Sequence, residues 1–184
     1  MTDMTGTAGA THGAVSKDPL VALARETIGR YLRTGKRPSA PDLPGDLPER
    51  AGCFVSVHLV STGELRGCIG TIEPTRKSLA EEVIQNAVSA AVRDPRFPRI
   101  GEGELDDLAI NVDVLFPAEV ACAGDLDPKR YGVIVTQGNR RGLLLPDLEG
   151  VDTVAEQLAI ACMKAGIDPA GTFDIERFEV VRHI

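Results

Sequence analysis

Twice in this chain two strand-like runs stand so close together that no helix fits between them. Gly52–Val60 and Glu64–Ile72 flank Ser61-Thr62-Gly63, and Gly132–Gln137 and Arg141–Leu145 stand on either side of Gly138-Asn139. Parallel neighbours need a crossover connection of roughly a dozen residues or more, so both pairs read as antiparallel hairpins. A doubly wound parallel sheet, which wants a helix between nearly every pair of strands, is thereby set aside.

The remaining elements fit around those hairpins. Asp18-Pro19 opens a helix in which Leu20, Ala24, Thr27, Ile28, Tyr31 and Leu32 repeat at helical spacing, and Gly35 stops it. Lys36–Arg50 carries four prolines and Gly45, which marks an extended connector. Ser78 with Glu81, and Thr153 with Glu156, form capping boxes at the heads of two more helices. Asp94-Pro95-Arg96-Phe97-Pro98 ends the first of these and Gly166 the second. Leu108, Ile110, Val112, Val114 and Phe116 alternate as one face of a half-buried strand, and Phe173–His183 reads as a last strand. The order hairpin, helix, strand, hairpin, helix, strand predicts an α+β fold, an antiparallel sheet with helices packed on it. One domain is expected over 18–184 and a mobile tail over 1–17.

Charge and composition narrow the function classes. A net charge of −7 argues against a phosphate-backbone binder, so no nucleic acid is expected as partner. No apolar run approaches the roughly 18–20 residues that span a bilayer, so no membrane is expected either. Met1–Ser16 lacks the basic and apolar regions of a secretion signal. Cys53, Cys68, Cys122 and Cys162 are scattered, without a CxxC pair or metal-type spacing. The reading is a cytoplasmic protein with reduced thiols, no metal and no cofactor. With only 4% aromatic residues and no Trp, its core must come from Val, Leu, Ile and Ala.

Loop length in the first hairpin decides which side chains Cys68 meets. A two-residue Thr62-Gly63 turn would ask a β-branched Thr for a positive φ, so a three-residue loop with Gly63 in the left-handed region fits better. That register pairs Val60 with Glu64, His58 with Arg66 and Ser56 with Cys68. Val55, Val57, Leu59, Leu65 and Ile69 then form a core face, and Phe54, Ser56, His58, Arg66 and Cys68 the opposite one. Gly67 and Gly70 bracket the cysteine, as glycines do at a bulge or where a backbone or ligand approaches closely. Positive charge from Arg66 and His58 would favour a Cys68 thiolate; the alternative is an inert small hydrophobe.

Other residues carry two readings each. Asp94 and Arg96 either hold a substrate anion or lock their loop as an ion pair. Asn86 either contacts substrate or hydrogen-bonds the backbone of residues 65–70. Gly138-Asn139-Arg140-Arg141 is a phosphate grip or a turn with solvated arginines. His12 and His183 fall near the chain ends.

Leu65-Arg66-Gly67-Cys68-Ile69-Gly70, followed by Glu73-Pro74, Asn86-Ala87 and Asp94-Pro95-Arg96-Phe97-Pro98, resembles the AMMECR domain family. Leu126–Val135, Arg140–Val154 and Lys164–Ile167 resemble its bacterial branch, AmmeMemoRadiSam system protein A. The resemblance spans about Leu20 to Arg182. It implies a large antiparallel-sheet lobe built from both terminal regions plus a smaller middle lobe. It also implies a functional motif at Leu65–Gly70, and association with a Memo-type dioxygenase-like protein and a radical SAM enzyme. Family members with tryptophans near the C-terminal helix differ from this chain, so ligand contacts through those rings do not transfer. Two functions follow as expectations. In one, the protein is a thiol-dependent enzyme or modifying component for a small or peptide substrate. Cys68 is its nucleophile or redox centre, Arg66 the electrostatic helper and the Gly67 and Gly70 amides oxyanion donors, with Ser56, His58, Asn86, Asp94 and Arg96 around the substrate. In the other it is a non-catalytic accessory that docks those two partners.

Overall fold

The computed structural model describes residues 17–184. Apart from Lys17, the tail expected at the N-terminus lies outside the described residues, as does His12. Helix α1 (Pro19–Thr34) begins where the Asp18 carboxylate accepts the Leu20 and Val21 N–H groups at 2.9 and 3.1 Å. It ends at Gly35 in the left-handed conformation, as the spacing predicts. Strands β1 (Gly52–Leu59) and β2 (Leu65–Gly70) form the first hairpin. Ser78 caps α2 (Leu79–Val92), which is followed by β3 (Leu108–Leu115) and the two-residue β4 (Glu119–Val120). The second hairpin, β5 (Tyr131–Gln137) and β6 (Arg140–Leu144), turns at Gly138, whose φ is +59°. Thr153 and Glu156 make the capping box of α3 (Val154–Ala165), and β7 (Asp174–His183) completes the chain.

Every strand pair among the described residues is antiparallel, in the order β2-β1-β3-β7-β5-β6 with β4 also on β7. Alternation then sorts the core into separate layers. Val55 and Val57 of β1 join Ile110 and Val112 of β3 under α1 and α2. Val133 and Val135 of β5 join Leu144 and the α3 residues Ala161 and Cys162. Phe54, just before Val55, and Ile134, between Val133 and Val135, point the other way and meet Leu115, Phe178 and Ile72 in a third cluster. The sheet is curled around this third cluster. Its two edges come within ion-pair distance, since Arg141 of β6 lies 3.1 Å from Glu73 just after β2.

The larger lobe draws on both ends of the chain. Val180–His183 of β7 pairs with β3, and His183 Nδ1 lies 2.7 Å from Asp18 at the head of α1. The smaller lobe is the middle region around α3, β5 and β6. Two expectations are corrected. The far half of β3 is buried on both faces, because Asp113 and Leu115 are covered as fully as Val112 and Val114. Phe116 leaves the strand and is 41% exposed, so it does not extend the core face.

Candidate functional site

The hairpin that carries Cys68 departs from the expected register in one place. Cα partners run Phe54 with Gly70, Val55 with Ile69, Ser56 with Cys68 and Val57 with Gly67, and then slip, so that His58 faces Leu65. Arg66 is therefore the extra residue of a β-bulge. Gly63 does take the left-handed φ, +75°, but Leu59 rather than Val60 pairs with Glu64 by hydrogen bonding, so the loop has four residues. The expectation that His58 opposes Arg66 is corrected, and so is the placing of Leu65 on the core face. The pairing of Ser56 with Cys68 stands.

The bulge gives Arg66 its own task. Its guanidinium donates to the Glu104 carboxylate at 2.8 and 3.1 Å and to the carbonyls of Pro98 and Arg99 at 2.7 and 3.4 Å. The side chain is 12% exposed and holds Glu104 below the usual carboxylate range. Those donors tie β2 to the loop after α2 and are not offered to the thiol.

Three side chains define the surroundings of Cys68. The Ser56 hydroxyl donates to its Sγ at 3.2 Å, which fits a non-hydrogen-bonded strand pair, where side chains stand closest. In such a pair the backbone groups turn away from the partner strand, and here they meet Asp94 and Arg96. The Cys68 N–H donates to Asp94 Oδ2 at 2.8 Å and its carbonyl accepts from Arg96 Nη2 at 3.1 Å. Asp94 is buried and also takes two guanidinium bonds from Arg96, at 3.0 and 2.7 Å. The Arg96 contact and the Cys68 N–H hold the Asp94 carboxyl well below its ordinary value, against the opposing effect of burial. Arg96 is raised, first by Asp94, with the Cys68 side chain adding a smaller share through charge and hydrogen bonding. Arg96, not Arg66, is thus the cation bound to Cys68, through its carbonyl, and Cys68 itself is half-buried.

The other residues of the predicted set are spread around this centre. Gly67 lies against α2, and Gly70 lies under the Phe54 ring. By the same pairing alternation, Gly67 spends its amide on the ladder to Val57, while the amide of Gly70 faces the outer edge. Asn86 donates to the Cys53 carbonyl at 2.9 Å and to the Thr71 hydroxyl at 3.2 Å, bracing β1 against the end of β2. His58 shares the Ser56 face, one strand repeat further from Cys68.

Two residues that motif spacing does not reveal prove important. Glu104 comes 38 positions after Arg66. Glu82 is fully buried and accepts from the Thr71 and Thr75 hydroxyls and from the Thr75 and Arg76 N–H groups, at 2.7 to 2.9 Å. It orders the segment that follows the Cys68 strand. The available signal was its position on α2 four residues before Asn86, on the buried face.

The other cysteines contrast with Cys68. Burial pushes the Cys53 thiol up to about 12 and also raises Cys162, while Cys122 is exposed. Among the described residues no three His, Cys, Asp or Glu side chains gather as a metal-binding group. No helix among them is long and apolar enough to cross a membrane. A cleft of about 320 Å³ opens between the lobes over Ile72, Leu115, Ile134 and Phe178, but Cys68 does not line it.

A curled antiparallel sheet with a bulged, glycine-bracketed cysteine strand clamped by an Asp-Pro-Arg loop defines the class of protein. The chain belongs to the AMMECR1 family, whose model matches residues 21–183. It is 51% identical over 175 residues to a protein of Thermotoga maritima, covering 92% of this chain and 99% of that one. It is likewise 51% identical over 172 residues to protein CA_C1420 of Clostridium acetobutylicum, covering 91% of this chain. In that relative the matched region makes up only 36% of the length. The crystal structure of protein PH0010 from Pyrococcus horikoshii superposes with a TM-score of 0.79 at 36% identity, over 91% of this chain and 92% of that one.

Proposed function

We propose that the protein is a thiol-dependent component acting on a small or peptide electrophile through Cys68. The observation that carries this reading is the placing of Sγ 3.2 Å from the Ser56 hydroxyl while the Cys68 backbone is clamped on its outer side by Asp94 and Arg96. Reactive cysteines sit in partly exposed, electropositive surroundings, and Cys68 is half-buried with the Arg96 guanidinium on its own carbonyl. In the step, the thiol releases its proton to solvent and the sulfur lone pair bonds to the electrophilic carbon. The leaving group departs with the bonding pair and takes up a proton. Ser56 steadies the sulfur by its hydrogen bond and Arg96 by its charge from the Cys68 carbonyl, whereas Arg66 works indirectly by fixing the bulge that aims the strand.

The test is a pH series of iodoacetamide labelling read by peptide mass spectrometry. Cys68 should label well before Cys53 and Cys162, and Arg96→Ala should slow it while Arg66→Lys leaves its rate nearly unchanged. A Cys68 no faster than Cys162 would end the nucleophile reading.

One observation favours a second reading, an accessory module. In the Clostridium relative this region is joined to roughly twice its own length of further polypeptide. On that reading the protein, of the AmmeMemoRadiSam system protein A type, docks a Memo-type dioxygenase-like protein and a radical SAM enzyme in the cytoplasm. Co-purification with those two proteins that survives Cys68→Ser would support it.

A further inference from the structure

The cleft between the lobes has two unlike halves. Its floor is Ile72, Leu115, Ile134 and Phe178, and the last three are nearly fully buried at the centre of the third core cluster. Two arginines line its walls. The charge of Arg141 is already met, by Glu73 at 3.1 Å and Glu176 at 3.6 Å. Arg50 differs: its guanidinium donates only to the Pro74 and Arg76 carbonyls, at 3.0 and 2.9 Å, and forms no ion pair with any carboxylate of the described residues. Arg50 also borders a second, shallow pocket, a shelf shared with Thr75, Arg76, Lys77 and Glu81. Three cations there face one carboxylate. A chain whose net charge is −7 has nevertheless gathered positive charge in the pocket that adjoins the cleft at Arg50.

We infer that this cleft binds a small amphipathic anion, its aliphatic body against Ile72 and Phe116 above the buried Ile134 and Phe178, and its carboxylate or phosphate head at Arg50 and Lys77. The volume, about 320 Å³, lies at the small end of the range for ligand cavities, which suits a body of a few carbons to about ten. The apolar floor supplies affinity without direction, and the cations at one end supply the polarity that orients the ligand. The glutamates on Arg141 keep the far wall from competing for the head group. This inference stands apart from the Cys68 chemistry. Ile72 comes two residues after β2 ends, and Cys68 does not line the cleft.

The test uses octanoate and octyl phosphate as probes, with octanol and octyltrimethylammonium as controls, on the full chain with amide chemical-shift mapping. The two anions should bind and shift the amides of Ile72, Ile134 and Arg50, octanol should bind more weakly, and the cation should not bind. Comparison of the two anions shows which head group the shelf prefers. Lys77→Gln, on an exposed side chain, and Arg50→Gln should each weaken anion binding by about tenfold, the worth of one charge-assisted hydrogen bond, and leave octanol unchanged. Cys68→Ser should leave binding as it is, whether or not the thiol proves reactive. Equal affinity for octanol and octanoate, shifts outside the cleft, or indifference to Lys77→Gln in a protein of unchanged melting temperature would overturn the inference.

Discussion

A methyl group on Gly67 of β2 would stand 2.3 Å from the carbonyl oxygen of Ala90 in α2. The same relationship recurs in the smaller lobe, where a Cβ on Gly142 of β6 would meet the Ala161 carbonyl of α3 at 2.1 Å. In both lobes a hairpin strand lies directly on a helix backbone. Gly67→Ala and Gly142→Ala should each destabilise the protein by about 3 kcal/mol, because neither neighbouring atom is a side chain that can rotate away. Urea unfolding of the two variants checks this, and Gly67→Ala should in addition raise Cys68 accessibility to alkylation.

Removing the charge from Asp94 should show in the pH dependence of stability. Its pKa in the folded protein lies below the ordinary 3.8, held down chiefly by Arg96. The resulting stability is present above the ordinary value and disappears as pH falls through the lower folded value. Melting temperatures of the wild type and Asp94→Asn should therefore differ widely from pH 6 down to about pH 4, and draw together only as pH falls further toward the lower folded value. A constant difference across that range would deny Asp94 its ionic role.

Glu82 gives a third expectation. Its four donors belong to Thr71, Thr75 and Arg76, the segment that walls the inter-lobe cleft. Glu82→Ala leaves those donors without acceptors and should cost about 3 kcal/mol while speeding amide exchange at Thr75 and Arg76. Protection unaltered at those two amides would show that the segment is ordered by other contacts.

The contact between His183 and Asp18 closes the larger lobe at both chain ends. Burial works to raise the Asp18 carboxyl, yet His183 and the N–H groups of Val21 and Leu20 hold it below 3.8. Asp18→Ala should cost about 1 kcal/mol as a lost helix cap, and His183→Ala less. The two changes together should cost less than their sum, a coupling readable in a double-mutant cycle by chemical denaturation.

Local chemistry made most of the fold legible. Asp18, Ser78 and Thr153 are caps that act within three residues, and Gly35, Gly138 and Gly166 occupy the left-handed conformations their positions demand. The Ser56–Cys68 pairing and the structural side of the Asp94–Arg96 alternative follow from equally short-range signals. What stayed hidden depends on distant partners. The bulge at Arg66 exists because Glu104 and the carbonyls of Pro98 and Arg99 receive its guanidinium, and nothing in residues 60 to 68 announces them. The second buried face of β3 needs the return of β7 and its Arg182, which pairs with Asp113 at 2.8 Å. Strand β4, only two residues long, has too little pattern to read.

The clamp on Cys68 also decides how anything can approach it. An unpaired margin of a sheet ordinarily recruits an extended peptide as one more strand, through its bare amides and carbonyls. At Cys68 both of those groups are already occupied by Asp94 and Arg96. A peptide therefore cannot zip alongside β2 at this point; it must offer a side chain or a chain end to the sulfur from the Ser56 face. On the proposed thiol-dependent reading, selection at Cys68 would therefore turn on what protrudes, not on backbone register.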